Sequence, residues 1–273
     1  MEHQQNKENT HETQFHPLQK PLMLVTYAIM FAGILIAGSI VATVLVPAPF
    51  LQKSTIAGNT LDGKSGVPAQ IKNQGDNTGG DKDATIAIGD DPVLGNKNQA
   101  KVAIVEFSDY ECPFCKKFHA EARKEIVKQY VDTGKAVLVF KDFPLSFHEP
   151  AASKESAAAN CVKKLSGDDA YFTFSESLYK NTGTNGRGMS DDTMRILAQN
   201  AGVSLDAYTT CVKESDFKDE IAKDVAEGEA FGISGTPAFV IGTLSPDGSI
   251  QNTEKIVGAQ PFEAFKKIIE KKL

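Results

Sequence analysis

The chemistry-bearing residues of this chain are two cysteines separated by two residues, Cys112-Pro113-Phe114-Cys115. What precedes and follows them predicts where they sit. Val102–Phe107 (VAIVEF) is a short, β-branched apolar run, the pattern of a buried strand. Ser108–Glu111 is polar and turn-like. Phe114, Phe118, Ala122 and Ile126 then recur at intervals of four, with Val127 beside them and Tyr130 after, which predicts a helix from Pro113 to Val131. Proline suits the first helical position, where its missing N–H would be unpaired anyway. Cys112 therefore falls at the N-cap, with Cys115 one turn on. Free backbone N–H groups and the positive end of the helix dipole stabilise a thiolate at that position. Such a sulfur is both a nucleophile and a good leaving group, as thiol–disulfide exchange requires.

Other uses of the pair fit less well. Zinc needs four ligands, commonly two C-x-x-C pairs, and the remaining cysteines, Cys161 and Cys211, are isolated. Covalent haem attachment needs histidine directly after the second cysteine, where this chain has Lys116. A structural bond within C-x-x-C closes a very short loop and stabilises little. No metal and no cofactor is expected.

Two further positions carry chemical meaning. Glu106 is an ionisable residue in an apolar strand, and alternation points it to the face of Ile104 and Ser108. Buried there, it could exchange a proton with Cys115; at the strand's wet end it would do nothing. Far along the chain, Gly232–Gly242 (GISGTPAFVIG) reads as a glycine-rich turn, Thr236-Pro237, then a strand. Proline at a strand start removes one ladder donor. With a cis bond, Thr236 could hold an extended peptide by β-type pairing; with a trans bond it is an ordinary turn.

The runs VAIVEFSDYECPFCKKFH, VLVFKDFPL and GISGTPAFVIG together resemble the DsbA-like thiol–disulfide oxidoreductases of the thioredoxin fold. The likeness is strongest to membrane-tethered, extracytoplasmic members with a helical insertion, and covers about residues 88–273. It implies that Cys112 is the attacking, solvent-facing cysteine and Cys115 its buried partner. It implies a cis Pro237 beside the disulfide, Thr236 on the substrate backbone, and Pro113 and Phe114 in the substrate-contacting motif. It also favours Glu106 as a buried acid.

The elements that must hold this site occupy only part of the chain. Its 273 residues are 41% hydrophobic and 23% charged, globular values that exclude a wholly disordered or collagen-like chain. A net charge of −6 without a basic run argues against nucleic acid as a partner. Residues 1–21 form a polar tail. Leu22 to Val46 carries no charged side chain. At about 1.5 Å per residue it spans roughly 37 Å, enough to cross a bilayer with some tilt. A signal peptide has a shorter apolar region, and Pro49 after Val46-Pro47-Ala48 should hinder cleavage, so the run reads as an uncleaved anchor. Residues 47–83 have the polar, glycine-rich composition of a flexible linker. Residues 84–273 suffice for one core.

Within that region, Ala151–Leu165, Tyr171–Tyr179, Ser190 to about Gly202, Leu205–Glu214 and Asp216–Phe231 read as helices, an insertion at about 148–230. Cys161 and Cys211 lie in two of them among apolar neighbours. They read as a structural disulfide or as two buried thiols, and similar insertions in the family sometimes carry such a bond. Gly183–Met189 is a surface loop. Ser245–Gly248 is a turn, Lys255–Gly258 an edge strand, and Pro261 opens a last helix with Phe262, Phe265, Ile268 and Ile269 on one face.

The expectation is an α/β thioredoxin-like domain with a helical insertion, tethered by one transmembrane helix. Its function would be exchange on cysteine-bearing protein substrates, in the oxidising direction, with a membrane redox partner restoring the disulfide. Disulfide formation needs a compartment outside the reducing cytosol, which sets the tail inside and the domain on the periplasmic or outer face. The same residues also serve a reductase or isomerase, a non-catalytic tethered binding module, or a metal carrier.

Overall fold

The computed structural model describes residues 85–273. The proposed tail, anchor and linker (1–21, 22–46 and 47–83) lie outside the described residues. Among the described residues no helix is long and apolar enough to cross a membrane.

Six strands form one sheet, in the order β1-β6-β5-β3-β4-β2. They are β1 (Ile86–Ala87), β2 (Val93–Leu94), β3 (Val102–Ser108), β4 (Ala136–Asp142), β5 (Ala238–Leu244) and β6 (Ser249–Val257). Strand β3 is central, parallel to β4 and antiparallel to β5. It is buried along its whole length, which explains its almost unbroken apolar run. Val102 and Ile104 face a core shared with Phe118, Ile126, Phe174, Leu178 and Phe265. Ala103, Val105 and Phe107 face a second core with Val139, Val240, Phe143 and Ile233.

The predicted helix 113–131 is broken. It comprises α1 (Pro113–Ala120), α2 (Ala122–Ile126) and a π-helical turn (Val127–Val131), with Glu121 at non-helical φ −117°, ψ −95° between the first two. A four-residue apolar repeat drifts by about 40° per step on a 3.6-residue helix. The break and the wider π turn return Phe118, Ala122, Ile126 and Tyr130 to one buried core.

The insertion between β4 and β5 is helical, as expected. Ala151–Asn181 (α3) runs on through Gly167, whose φ of 78° marks the joint between the two helices read from sequence. It is followed by α4 (Asp191–Asn200), α5 (Leu205–Glu214) and α6 (Lys218–Ala230). The Ser190 hydroxyl accepts from the Thr193 N–H at 3.2 Å, the expected cap. Cys161 on α3 and Cys211 on α5 are bonded, with Cα atoms 5.8 Å apart. The chain ends in α7 (Phe262–Lys272), with Phe265 and Ile269 buried.

Lys255–Val257 of β6 pairs with β5 through Val240↔Lys255, Phe239↔Ile256 and Ala238↔Val257, and β1 covers only the Ser249–Ile250 end of the strand. Among the described residues the stretch from Lys255 to Val257 thus lies at the sheet edge, as expected. Two residues give too short a pattern to announce β1 itself.

Candidate active site

Strand β3 ends in the turn that presents the two cysteines. Asp109 ties this turn together. Its Oδ1 accepts from the Glu111 N–H at 2.7 Å, and its Oδ2 accepts from the Leu145 N–H at 2.9 Å and lies 2.8 Å from His148 Nδ1. The Cys112 N–H donates to the Asp109 carbonyl at 3.0 Å. The loop after α3 adds a contact from outside, the Asn185 N–H donating to the Glu111 carbonyl at 2.8 Å. The predicted surface loop thus braces the residue before Cys112.

Cys112 is the N-cap of α1 and Pro113 its first residue, as read from sequence. Cys112 and Cys115 are unbonded thiols. Cys115 is fully buried, whereas Cys112 is 3% exposed, less solvent-facing than the resemblance implies. Thr236 covers it, its carbonyl oxygen accepting from the Cys112 thiol at 3.3 Å. The Thr236-Pro237 bond is cis. Pro113 is exposed, and Phe114 projects into solvent with 61% of its surface exposed.

The two sulfurs are electrostatically unequal. The Cys115 hydrogen bond, Thr236 and the backbone N–H groups of Cys115 and Phe114 overcome burial and bring Cys112 from 9.0 down to about 6. Cys115 is pushed well above the ordinary thiol value, first by burial, then by the hydrogen bond and charge of Cys112. At neutral pH Cys112 is mostly thiolate and Cys115 is a thiol. This arrangement can attack a disulfide, or release a thiolate from Cys112 when a mixed disulfide is resolved.

Glu106 is buried, not at a wet strand end. Its Oε1 lies 3.0 Å from His119 Nε2, and Oε2 has no hydrogen-bond partner. The other ring nitrogen, Nδ1, lies 3.0 Å from Glu176 Oε1, which Arg123 Nη1 meets at 2.5 Å. Tyr179 stacks on the imidazole at 3.8 Å between ring centroids, and its hydroxyl is 2.8 Å from the Ser108 hydroxyl. The sequence reading missed His119, Arg123, Glu176, Ser108 and Tyr179. One signal was available: His119 follows Cys115 by four residues, hence on the same helix face.

Three clefts of about 520, 500 and 540 Å³ lie elsewhere, and Cys112 lines none of them. Among the described residues no group of three or more His, Cys, Asp or Glu is arranged to hold a metal ion.

Comparison with known proteins agrees with this geometry. A family model described as thioredoxin matches residues 88–271. Disulfide bond formation protein D of Bacillus subtilis (strain 168) is 26% identical over 184 residues, 67% of this chain and 77% of that protein. The crystal structure of oxidised BdbD from Bacillus subtilis matches with a TM-score of 0.58 and 25% identity, over 69% of this chain and 96% of that one. The crystal structure of α-DsbA1 from Wolbachia pipientis matches in fold, with a TM-score of 0.56 and 24% identity over 67% and 90% of the two chains.

Proposed function

The chain belongs to the thioredoxin family and is one of its protein-disulfide oxidoreductases, and from that premise we propose that it oxidises substrate dithiols outside the cytosol while tethered to a membrane. The observation that carries the direction is the acidic thiol at the helix N-cap, with a value of about 6 against a buried, much less acidic partner. A stabilised Cys112 thiolate stabilises the reduced enzyme, and so makes its disulfide an oxidant. The name of the Bacillus subtilis relative, disulfide bond formation protein D, supports the same direction.

In the proposed reaction a substrate thiolate attacks Cys112 Sγ of the Cys112–Cys115 disulfide. The bond between the two cysteines breaks, and its electron pair leaves on Cys115, which takes up a proton with Glu106 as donor. A second substrate thiolate then attacks the substrate sulfur of the mixed disulfide and expels Cys112 as a thiolate. The substrate is oxidised by two electrons and the enzyme reduced by two. A membrane redox partner would reoxidise it. Thr236, Pro237, Pro113 and Phe114 would contact the substrate backbone and flanking side chains. Cys161–Cys211 would be structural.

The uncharged run Leu22 to Val46 supports a single-pass anchor and residues 47–83 a linker. The tail 1–21 would then be cytoplasmic and the catalytic domain on the periplasmic or outer face, where a disulfide persists.

Equilibration of the full chain with glutathione buffers tests the direction. A Cys112–Cys115 potential near the strongly oxidising end, about −120 mV, is expected; one near about −270 mV would make it a reductant. Labelling of single cysteines introduced on each side of residues 22–46 should find the domain outside, and a domain labelled from the cytosol would overturn the topology.

A further inference from the structure

The glycine-rich loop between α3 and α4 is stitched to both sides of Cys112. On the upstream side the Asn185 N–H donates to the Glu111 carbonyl at 2.8 Å, and the Thr182 hydroxyl donates to Glu111 Oε1 at 2.5 Å. On the downstream side Lys116 Nζ donates to the Thr182 carbonyl at 2.9 Å. Thr184, Asn185 and Gly186 take φ of 57°, 59° and 74°, and the Arg187 N–H closes on the Thr184 carbonyl at 3.4 Å. This is a tight left-handed turn, in which a β-branched threonine is the costly member. A Cβ at Gly186 would meet His148 Cα at 3.4 Å and the Phe147 carbonyl at 3.5 Å, so the turn lies directly on the segment after β4. The loop is a built part of the surface around the cysteines.

What this turn presents is Arg187. A Cβ at Gly183 would meet Arg187 Cβ at 3.3 Å and Cδ at 3.4 Å, so the arginine stem lies along bare glycine backbone while the residue stays exposed. Helix α1 adds two more cations. Lys116 follows Cys112 by four residues and Lys117 follows Pro113 by four, each one turn beyond the start of the motif. Among the described residues none of these three meets a carboxylate, whereas Arg123, Lys154, Arg195 and Lys271 do. The two carboxyls that precede Cys112, Asp109 and Glu111, are buried and bonded within the protein. In a chain of net charge −6, the surface beside the reactive cysteine therefore carries positive charge with no counter-charge of its own.

Taking the Cys112–Cys115 pair as a protein-oxidising centre, as argued above, we propose that Arg187, with Lys116 and Lys117, forms a substrate subsite that selects cysteine-bearing segments flanked by aspartate or glutamate. The planar guanidinium matches a carboxylate in geometry as well as in charge, and its stem is already placed by Gly183. The preference has a chemical consequence. Acidic neighbours hold a substrate cysteine in its thiol form and so make it a poor nucleophile. Docking those neighbours on cations offsets the repulsion at the moment the substrate must attack as a thiolate. An exposed ion pair is worth at most about fivefold, so the discrimination comes from the three cations together and depends on salt.

The test follows oxidation of two reduced dithiol peptides by the oxidised full 273-residue chain in an uncharged detergent. The peptides are identical except for glutamates or lysines around their cysteines. The readout is the acidic-to-basic rate ratio of the wild type divided by that of Arg187→Glu. This double ratio cancels the intrinsic reactivity of each peptide and of each protein. It should be at least about tenfold at about 10 mM salt and fall below about twofold at about 1 M, as the Debye length shrinks from about 30 Å to about 3 Å. Lys213→Glu makes the same charge change on α5 and should give a double ratio of about one. A double ratio of about one for Arg187→Glu, or equal values for the two variants, overturns the subsite. A chain that reduces the disulfide forms of these peptides with the same acidic preference, but oxidises neither, would refute the oxidising direction and leave the subsite standing. Exchange with neither peptide in either direction would refute both.

Discussion

The Cys112 thiol donates to the carbonyl oxygen of Thr236 at 3.3 Å, joining positions 124 residues apart. The same threonine carries a buried hydroxyl with no hydrogen-bond partner. The carbonyl can only accept, so it favours the thiol. The hydroxyl can donate, so it favours the thiolate, and it is one of the groups that lower Cys112. One residue from the far end of the fold therefore both covers the sulfur and acidifies it.

The pH dependence of this sulfur follows directly. Alkylation of the reduced chain by iodoacetamide should rise with pH around a midpoint of about 6, because the thiolate reacts. Thr236→Val, which keeps the shape and removes the hydroxyl, should move that midpoint upward and slow alkylation at pH 6 about threefold. A midpoint near 9.0, the ordinary thiol value, would end the redox reading. Stability carries the same sign. The folded value lies below the unfolded one, so the stabilisation is present above the unfolded value and disappears as pH falls through about 6. The reduced chain should therefore lose stability relative to the oxidised chain between pH 9.0 and about 6.

The parts of this site that follow local rules were legible in the sequence. A strand, a turn, a cysteine at an N-cap and proline at the first helical position are set by neighbours along the chain. Ser190 as a cap is local in the same way. His119 gained meaning only when folding brought it to Glu106 on a strand and Glu176 on an inserted helix. The broken helix after Ala120 was also hidden, because a four-residue repeat looks like one regular face until packing forces it onto a single core. The pairing of Ser249 and Ile250 with β1 was hidden because that partner is two residues long and far upstream.

Lys141 is a second group that local pattern did not reveal. It is fully buried, bonded to Asp91, 3.1 Å from Asp224 and 2.8 Å from Glu227. Burial pushes its ammonium down, but Asp224 and Asp91 outweigh this and raise it above 10.5. Lys141→Met would leave buried carboxylates without their cation and should destabilise the chain by about 3–5 kcal/mol. The loss should shrink at pH 5, where those carboxyls are more easily protonated. Urea unfolding at pH 5 and pH 8 checks it, and equal losses at both would mean the charges are not what matters.

The Cys161–Cys211 bond closes a loop of 50 residues within the helical insertion. Constraint of the unfolded chain over such a loop contributes about 4 kcal/mol at most. Replacing both cysteines by serine should cost about 2–4 kcal/mol in urea unfolding and leave the rate of Cys112 alkylation unchanged. A fall in that rate at a temperature where the variant is folded would make this bond part of the active site rather than a staple.

Glu155 gives the clearest stability change with pH. It is 1% exposed and lies close to the Glu111 carboxyl. Burial first, then the charge of Glu111 and the hydrogen bond shared with it, push its carboxyl from 4.5 up to about 8. A raised carboxyl stabilises the fold fully below the unfolded value, and that stabilisation is lost as pH rises through the folded one. The window is therefore 4.5 to about 8. Asp142, pushed mainly by burial to about 6, and Asp224, likewise to about 8, act in the same sense. Wild type should unfold more easily at pH 8 than at pH 5. Glu155→Gln cannot ionise, so it should lose about 2 kcal/mol less across that interval, the aspartates accounting for what remains. Because Glu111 directly precedes Cys112, the variant also asks whether this carboxyl pair touches the chemistry. An unchanged alkylation midpoint with a flatter stability profile makes it a folding element alone, whereas stability curves that fall equally in both proteins would mean Glu155 is already ionised in the fold.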